Sequence, residues 1–483
     1  MNGRLIAHLL SILVLVLGLC MVLPVLVSLW YGEACARPLF LAAILTGCLG
    51  LVMRAASGQP ADRYLSHRDG VAIVTGGWVL AGLVATLPYL LTGAIPDFTD
   101  AYFECISGFT TTGSSIFSAV EELPRGVLFW RSLTQWLGGM GIIVLSIAIL
   151  PFLGIGGMQL YKAETPSPVV DKLTPRISDT AKVLWKVYVL LTLVQIILLL
   201  FGGMSLFDAV CHTFTTMPTG GFSTRNASIA AYNSLYIEIV VIVFMVLAGM
   251  NFALHYKLLR GDFRSVRKDP EIRVYLLIFA GLTLLVAANL YGGRTYPSAP
   301  EALRYASFQV ASILTTTGYA TADFKQWPAF SQIVLLLCMF LGSMAGSTGG
   351  GIKTLRLLLL VKHAYLEILR VIHPHAMTIV KLGKTPVSQG VLRSVWGFFI
   401  LFIGIYVLAT MVMSALGVDF MTAVSSVATC LGNVGPGLGA VGPTEHFGHM
   451  PVVGKWVLIA CMLLGRLEIY TVLVFLMPRF WKD

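Results

Sequence analysis

The chain has 483 residues, of which 57% are hydrophobic and 12% charged, and its mean hydropathy is +0.83. A soluble domain this apolar could not cover its own surface, so the bilayer is its natural solvent. The formal net charge of +10 does not point to nucleic acid, because the basic residues sit in short loops between apolar spans rather than in one solvated stripe.

The chain opens with an early Arg4 followed by an apolar run from Leu5 to Trp30. That run is long enough to cross a membrane and lacks a clean small-residue cleavage site after it, so we read a retained first helix rather than a signal peptide. Further stretches long enough to span fall near 38–54, 71–92, 126–155, 183–203, 234–258, 273–291, 327–370, 391–416 and 452–477, the one at 327–370 being interrupted. Shorter apolar stretches lie near 98–110, 206–217, 302–315 and 419–431. As helices these cover only ~18–21 Å of a ~30 Å hydrocarbon core, so each must enter and return on one side.

With the short stretches placed outside, most of the 33 lysines and arginines fall in the opposite loops and at the two termini. The positive-inside rule then places both termini in the cytoplasm. Acids on the outer side, among them Asp97, Asp100, Glu104, Glu121 and Glu122, are expected to concentrate cations at a mouth. No stretch remains for a soluble domain. The eight cysteines contain no CxxC pair and lie mostly in apolar segments, where they read as small buried hydrophobes.

The four short stretches are copies of one another. Aligned without gaps, they begin at Asp100, Asp208, Tyr305 and Thr422, and in each an alanine precedes a glycine by twelve residues: Ala101 and Gly113, Ala209 and Gly221, Ala306 and Gly318, Ala423 and Gly435. One spanning helix precedes and one follows each copy. The fold class expected is therefore an all-α polytopic membrane protein, with four tandem helix–pore-loop–helix repeats around a pseudo-fourfold pore and two extra N-terminal transmembrane helices. The boundaries are 1–68 for those two helices, then 69–160, 161–262, 263–385 and 386–483 for the repeats.

Glycine at these points has a chemical purpose. A filter replaces an ion's water with backbone carbonyl oxygens, and aiming several of them at one axis demands backbone angles that glycine adopts cheaply. The expected ion-binding positions are Thr111, Thr112 and Gly113; Thr219, Gly220 and Gly221; Thr316, Thr317 and Gly318; and Asn433, Val434 and Gly435. The C-terminal ends of four pore helices converging there favour a cation. Tight packing of small residues is the competing explanation for one such stretch, but it does not account for four in the same phase.

The interrupted span carries GSMAGSTGGGIKT from Gly342. A phosphate-binding loop needs lysine directly after the glycine, where Ile352 stands. So many glycines break a helix at membrane depth and leave backbone groups that need water or protein. Arg466 lies deep in the last span, where an ionisable residue is a functional candidate by default; the alternative is a structural ion pair. His212 reads as a packed pore-helix residue, His373–Pro374–His375 as a loop turn, and Asn251 and Glu238 as polar contacts between helices.

The motifs SGFTTTGSS, FTTMPTGGFST, ILTTTGY and NVGPGLG, together with GSMAGSTGGGIKT and LGRLEIY, resemble the Trk/Ktr/HKT superfamily. Within it the chain resembles the bacterial Trk-type potassium uptake membrane subunits (TrkH-like) over essentially its whole length. The second filter, with paired Gly220–Gly221, and the fourth, with Asn433 and Pro436, depart from the TTTG pattern. The resemblance implies potassium as the transported ion and no cofactor. It implies an intramembrane gate at Gly346, Ser347, Thr348, Gly349, Gly350, Gly351 and Lys353, with Arg466 as an electrostatic barrier beside it. It also implies a homodimer in lipid and a cytoplasmic ring of nucleotide-binding regulatory subunits (TrkA-like), for which the basic loops at 256–273 and 353–393 are candidate docking surfaces. No His, Asp or Cys constellation suggests an enzyme. Facilitated permeation and an ion-coupled (proton or sodium) symport both stay open, although repeats of one topology favour a radial pore over an inverted pair.

Overall fold

The computed structural model describes residues 1–58, 66–148, 177–374, 379–383 and 385–481. Arg63, Lys162, Lys172, Arg176, His375, Lys384, Lys482, the end of the 126–155 span and the 160/161 repeat boundary lie outside the described residues.

The described residues are overwhelmingly helical, with one two-residue hairpin pairing Lys381–Leu382 with Thr385–Pro386. Helices occupy all four short stretches: Phe98–Phe109, Leu206–Thr216, Ala299–Leu314 and Phe420–Gly432. Each starts on a side-chain oxygen that accepts from a first-turn backbone N–H, supplied by Asp97, Ser205, Ser298 and Asp419. Such caps satisfy donors the helix itself cannot.

The repeated alanines explain how these short helices pack. Ala101, Ala209, Ala306 and Ala423 are all wholly buried, and each belongs to a different apolar cluster that also takes in residues of a neighbouring pore helix. A larger side chain there would push the helix out of its slot.

Among the described residues, Gly3–Trp30, Ala36–Ser57, Arg68–Thr92, Lys182–Phe201, Pro270–Gly292 and Gln389–Ala415 are long and apolar enough to cross a membrane. Two expected spans are broken instead. The 234–258 stretch bends by 105° between Leu235–Ala248 and Phe252–Leu259, where Asn251 caps the second piece. The 452–477 stretch bends by 119° between Val452–Arg466 and Tyr470–Leu476, with Glu468 and Ile469 at positive φ. Together with the expected interruption between Ala329–Phe340 and Thr354–Ile372, the second helices of repeats two, three and four all break.

Polar links join neighbouring repeats on the side where the pore helices begin. Arg304 of the third repeat forks onto both Glu238 oxygens of the second at 2.7 Å, a contact between helices as expected of Glu238. Lys325 reaches Glu445 at 2.6 Å between repeats three and four, and Lys455 pairs with Asp100 between four and one.

Candidate functional site

All four pore helices end in the same turn. Within three residues of each helix end, one residue donates its N–H three residues back: Thr111 to Gly108, Thr219 to Thr216, Thr316 to Ile313, Asn433 to Cys430. The next residue donates five back: Thr112 to Ser107, Gly220 to Thr215, Thr317 to Ser312, Val434 to Thr429. This paired pattern reverses the chain through a left-handed residue. Thr111, Thr219, Thr316 and Asn433 indeed have φ of 51°, 58°, 59° and 54°. Threonine is β-branched and strained in that region by about 1–3 kcal/mol, so its threefold use there marks a site where the surroundings dictate the backbone.

Two residues further on, Gly113, Gly221, Gly318 and Gly435 have φ of 85°, 74°, 84° and 108°. Close approach also requires glycine. A Cβ on Gly113 would lie 2.1 Å from the Gly220 oxygen, on Gly221 1.9 Å from the Thr317 oxygen, on Gly318 2.1 Å from the Val434 oxygen, and on Gly435 2.8 Å from the Thr112 oxygen. Each glycine thus abuts the carbonyl of the next repeat, and the fourth returns to the first. The ring is closed.

The residue after each glycine leans the other way, onto the preceding repeat. Phe222 approaches Gly108 of the first pore helix, and Tyr319 donates to the His212 carbonyl at 2.8 Å. Pro436 lies beside Gly318, and the Ser114 hydroxyl donates to the Gly435 carbonyl at 3.0 Å. The four glycines open onto one vestibule, lined also by Ser114, Ser115, Arg131, Ser223, Arg225, Pro436, Glu445 and His446.

The vestibule corrects the expectation about the outer acids. Glu104 is wholly buried, takes Arg131 Nε at 2.6 Å, and accepts from Ser115 and the Ile116 N–H. It braces the loop after Gly113 and does not face a mouth. Arg131 lies inside a span without a sequence signal pointing to this partner, and it was missed. His212 is buried in its pore helix, bonded to the Asp208 carbonyl and the Ser223 hydroxyl, a packing role as expected.

The glycine-rich loop lies against the C-terminal ends of the pore helices. Gly350 N–H donates to the Thr316 hydroxyl at 2.7 Å, and the Ser343 hydroxyl to the Thr315 carbonyl at 3.3 Å. Thr348 donates to the carbonyls of Met217 and Ala248 at 3.0 and 3.2 Å. A Cβ on Gly350 would come 2.4 Å from the Gly432 oxygen. The loop therefore touches the ends of pore helices two, three and four. Gly346 turns at a φ of 72° against Asn251, and Gly351 at 67° beside Gly342. Ser347 bonds back to Met344, and Lys353 Nζ donates to the Gly349 carbonyl.

Two further groups hold this loop. Arg466 Nη1 donates to the Thr348 carbonyl at 2.7 Å, while its Nε and Nη2 are buried without a partner among the described residues. Glu468 pairs with Arg356 rather than with Arg466. Glu271, at the start of the third repeat, accepts from the N–H groups of Ala345 and Leu355 at 2.8 and 3.2 Å; the sequence offered no sign of that contact, which spans 74 residues.

The described residues contain no group of three or more His, Cys, Asp or Glu side chains placed to hold a metal ion. The eight cysteines are free, and six are buried.

Comparison with known proteins places this geometry. The family model described as TrkH, cation transport protein, matches residues 38–482. The chain is 41% identical to the Trk system potassium uptake protein TrkH of Salmonella typhimurium, and equally to that of Escherichia coli K12, covering 100% of each chain. It is 37% identical to the TrkG protein of Escherichia coli K12 over 99% of both chains. The crystal structure of the potassium transporter TrkH from Vibrio parahaemolyticus superposes over 100% of both chains with a TM-score of 0.92 at 39% identity. The chain belongs to the TrkH family of cation transport proteins, a transport family and not one of enzymes.

Proposed function

We propose that the chain takes up potassium through the ring of filter carbonyls, as a multi-pass protein of the bacterial inner membrane. The single observation that carries this reading is the closed cycle of contacts from Gly113 to Gly220, Gly221 to Thr317, Gly318 to Val434 and Gly435 to Thr112. Four carbonyls at one level, presented by four converging helix C-termini, suit a dehydrated monovalent cation. Thr111 Oγ1 and Asn433 Oδ1 are buried without a partner among the described residues, at equivalent positions of adjacent repeats. A cation passing the ring is a species both oxygens would accept.

On this reading the sites are Thr111, Thr112, Gly113, Thr219, Gly220, Gly221, Thr316, Thr317, Gly318, Asn433, Val434 and Gly435. The loop from Gly346 to Lys353, held by Arg466, is the gate. The chain divides at 68, 160, 262 and 385 into two leading helices and four repeats, and both termini face the cytoplasm. A homodimer and a TrkA-like nucleotide-binding regulator complete the system, the regulator docking on the basic inner loops.

Flux into liposomes loaded with the purified protein tests the reading. Potassium should enter down its own gradient and without any gradient of protons or sodium. Uptake that stops when the proton or sodium gradient is collapsed would make the chain a coupled symporter instead.

A further inference from the structure

The four filter strands are not braced alike. In repeats one and three, the residue before the glycine is a threonine whose hydroxyl meets that of the threonine capping the pore helix: Thr112 with Thr110, and Thr317 with Thr315, both at 2.7 Å. In repeat four, Asn433 donates across to the Thr112 hydroxyl at 2.9 Å and to the Met462 carbonyl at 3.0 Å. Repeat two has Gly220 at this place and so has no side chain to anchor it.

A neighbour fills that gap. Gln135, wholly buried in the second helix of repeat one, donates from Nε2 to the Gly220 carbonyl at 2.7 Å and accepts from the Phe222 N–H at 3.2 Å. Its amide lies where a Gly220 side chain would stand: a Cβ there would be 2.4 Å from the Gln135 carbonyl carbon. Arg131 precedes it by four residues and so lies on the same helix face. Arg131 donates to the Ser223 carbonyl at 3.0 Å, stacks its guanidinium 3.7 Å from the Phe222 ring centre, and is neutralised by Glu104. Three residues of the second strand, Gly220, Phe222 and Ser223, are thereby held by two side chains of repeat one.

We propose that Gln135 and Arg131 are specificity-determining positioning residues, which set the second filter strand from outside its own repeat and so fix its contribution to ion selection. The inference rests on the reading of the ring as the filter. Gly220 carries the one oxygen of the four at this level that receives a side-chain hydrogen bond among the described residues. An amide N–H on that oxygen both fixes its position and draws off part of its charge. Losing the donor frees the carbonyl to tilt and leaves the Phe222 N–H without its acceptor.

The test compares sodium with potassium flux in liposomes for wild type, Gln135→Leu, Gln135→Met and Gly318→Ser, each with a thermal melt. Leucine and methionine keep the bulk and remove both hydrogen bonds, and the second variant stands in if the first folds poorly. The expected result is a potassium-over-sodium ratio lowered roughly fivefold to tenfold, the ratio that one ordinary hydrogen bond controls, with potassium flux retained. An unchanged ratio beside a changed one in Gly318→Ser overturns the positioning role, even if the melt shifts. An unchanged ratio in all variants overturns the filter reading itself, and this inference with it.

Discussion

Arg466 and Thr348 lie 118 residues apart in the chain and meet at 2.7 Å, the guanidinium donating to the carbonyl of the glycine-rich loop. The bond joins the end of helix Val452–Arg466 in repeat four to the loop that interrupts repeat three. Arg466 has no carboxylate partner among the described residues, since Glu468 is taken by Arg356. That removes the structural ion pair as an explanation of its position.

Arg466→Ala should therefore raise basal potassium flux without destabilising the protein through an orphaned acid. A cation passing a guanidinium at ~4 Å meets a repulsion of roughly 4 kcal/mol at an effective dielectric near 20, enough to slow passage by up to about a thousandfold. Arg466→Lys keeps the charge and should keep most of the barrier. Flux in liposomes decides it: an Ala variant that is folded and no leakier than wild type removes Arg466 from the barrier.

Glu271→Ala strips the acceptor from the Ala345 and Leu355 N–H groups and should loosen the loop from its repeat-three side. Each buried N–H left unmade costs about 1–3 kcal/mol, which shifts a closed loop toward open. Deletion of Gly346–Gly350 should act more strongly in the same direction. A folded deletion protein that conducts less than wild type would show that the loop supports the pathway rather than closing it.

Gly113→Ser and Gly318→Ser should both weaken potassium selectivity. Each new Cβ would sit 2.1 Å from a carbonyl oxygen of the next repeat, so the ring must distort at two repeats, not one. Relative sodium and potassium uptake measures this, and unchanged ratios in both variants would take these glycines out of the filter.

Glu104→Ala leaves Arg131 buried with its charge uncompensated. The expected loss of stability is about 3–5 kcal/mol, read as an earlier thermal unfolding of the purified protein. A melting temperature equal to that of wild type would show that the pair contributes nothing.

Much of the architecture is legible in the chain because it repeats. One alanine-to-glycine spacing occurs four times, and the structure turns it into four buried alanines and four glycines at positive φ. What escaped depends on contacts distant in sequence. The break after Arg466 passes through Glu468 and Ile469 at positive φ, residues whose types give no warning of a left-handed turn. The break at Gly249 to Asn251 left a fainter trace, an asparagine that caps the next helix. Glu104 was read as a surface acid because its partner Arg131 lies 27 residues on, inside an apolar helix. Gln135 and Glu271 are ordinary polar residues until folding brings Gly220 and Ala345 to them.

On the proposed function, ions pass through the ring formed by the Thr112, Gly220, Thr317 and Val434 carbonyls. Crystals grown in rubidium or thallium, which substitute for potassium and scatter anomalously, test it most directly. An anomalous peak is expected on the ring axis, within coordinating distance of all four oxygens, and is lost in Gly318→Ser. Anomalous density found only elsewhere in the protein, with the ring axis empty at saturating ion, would contradict it.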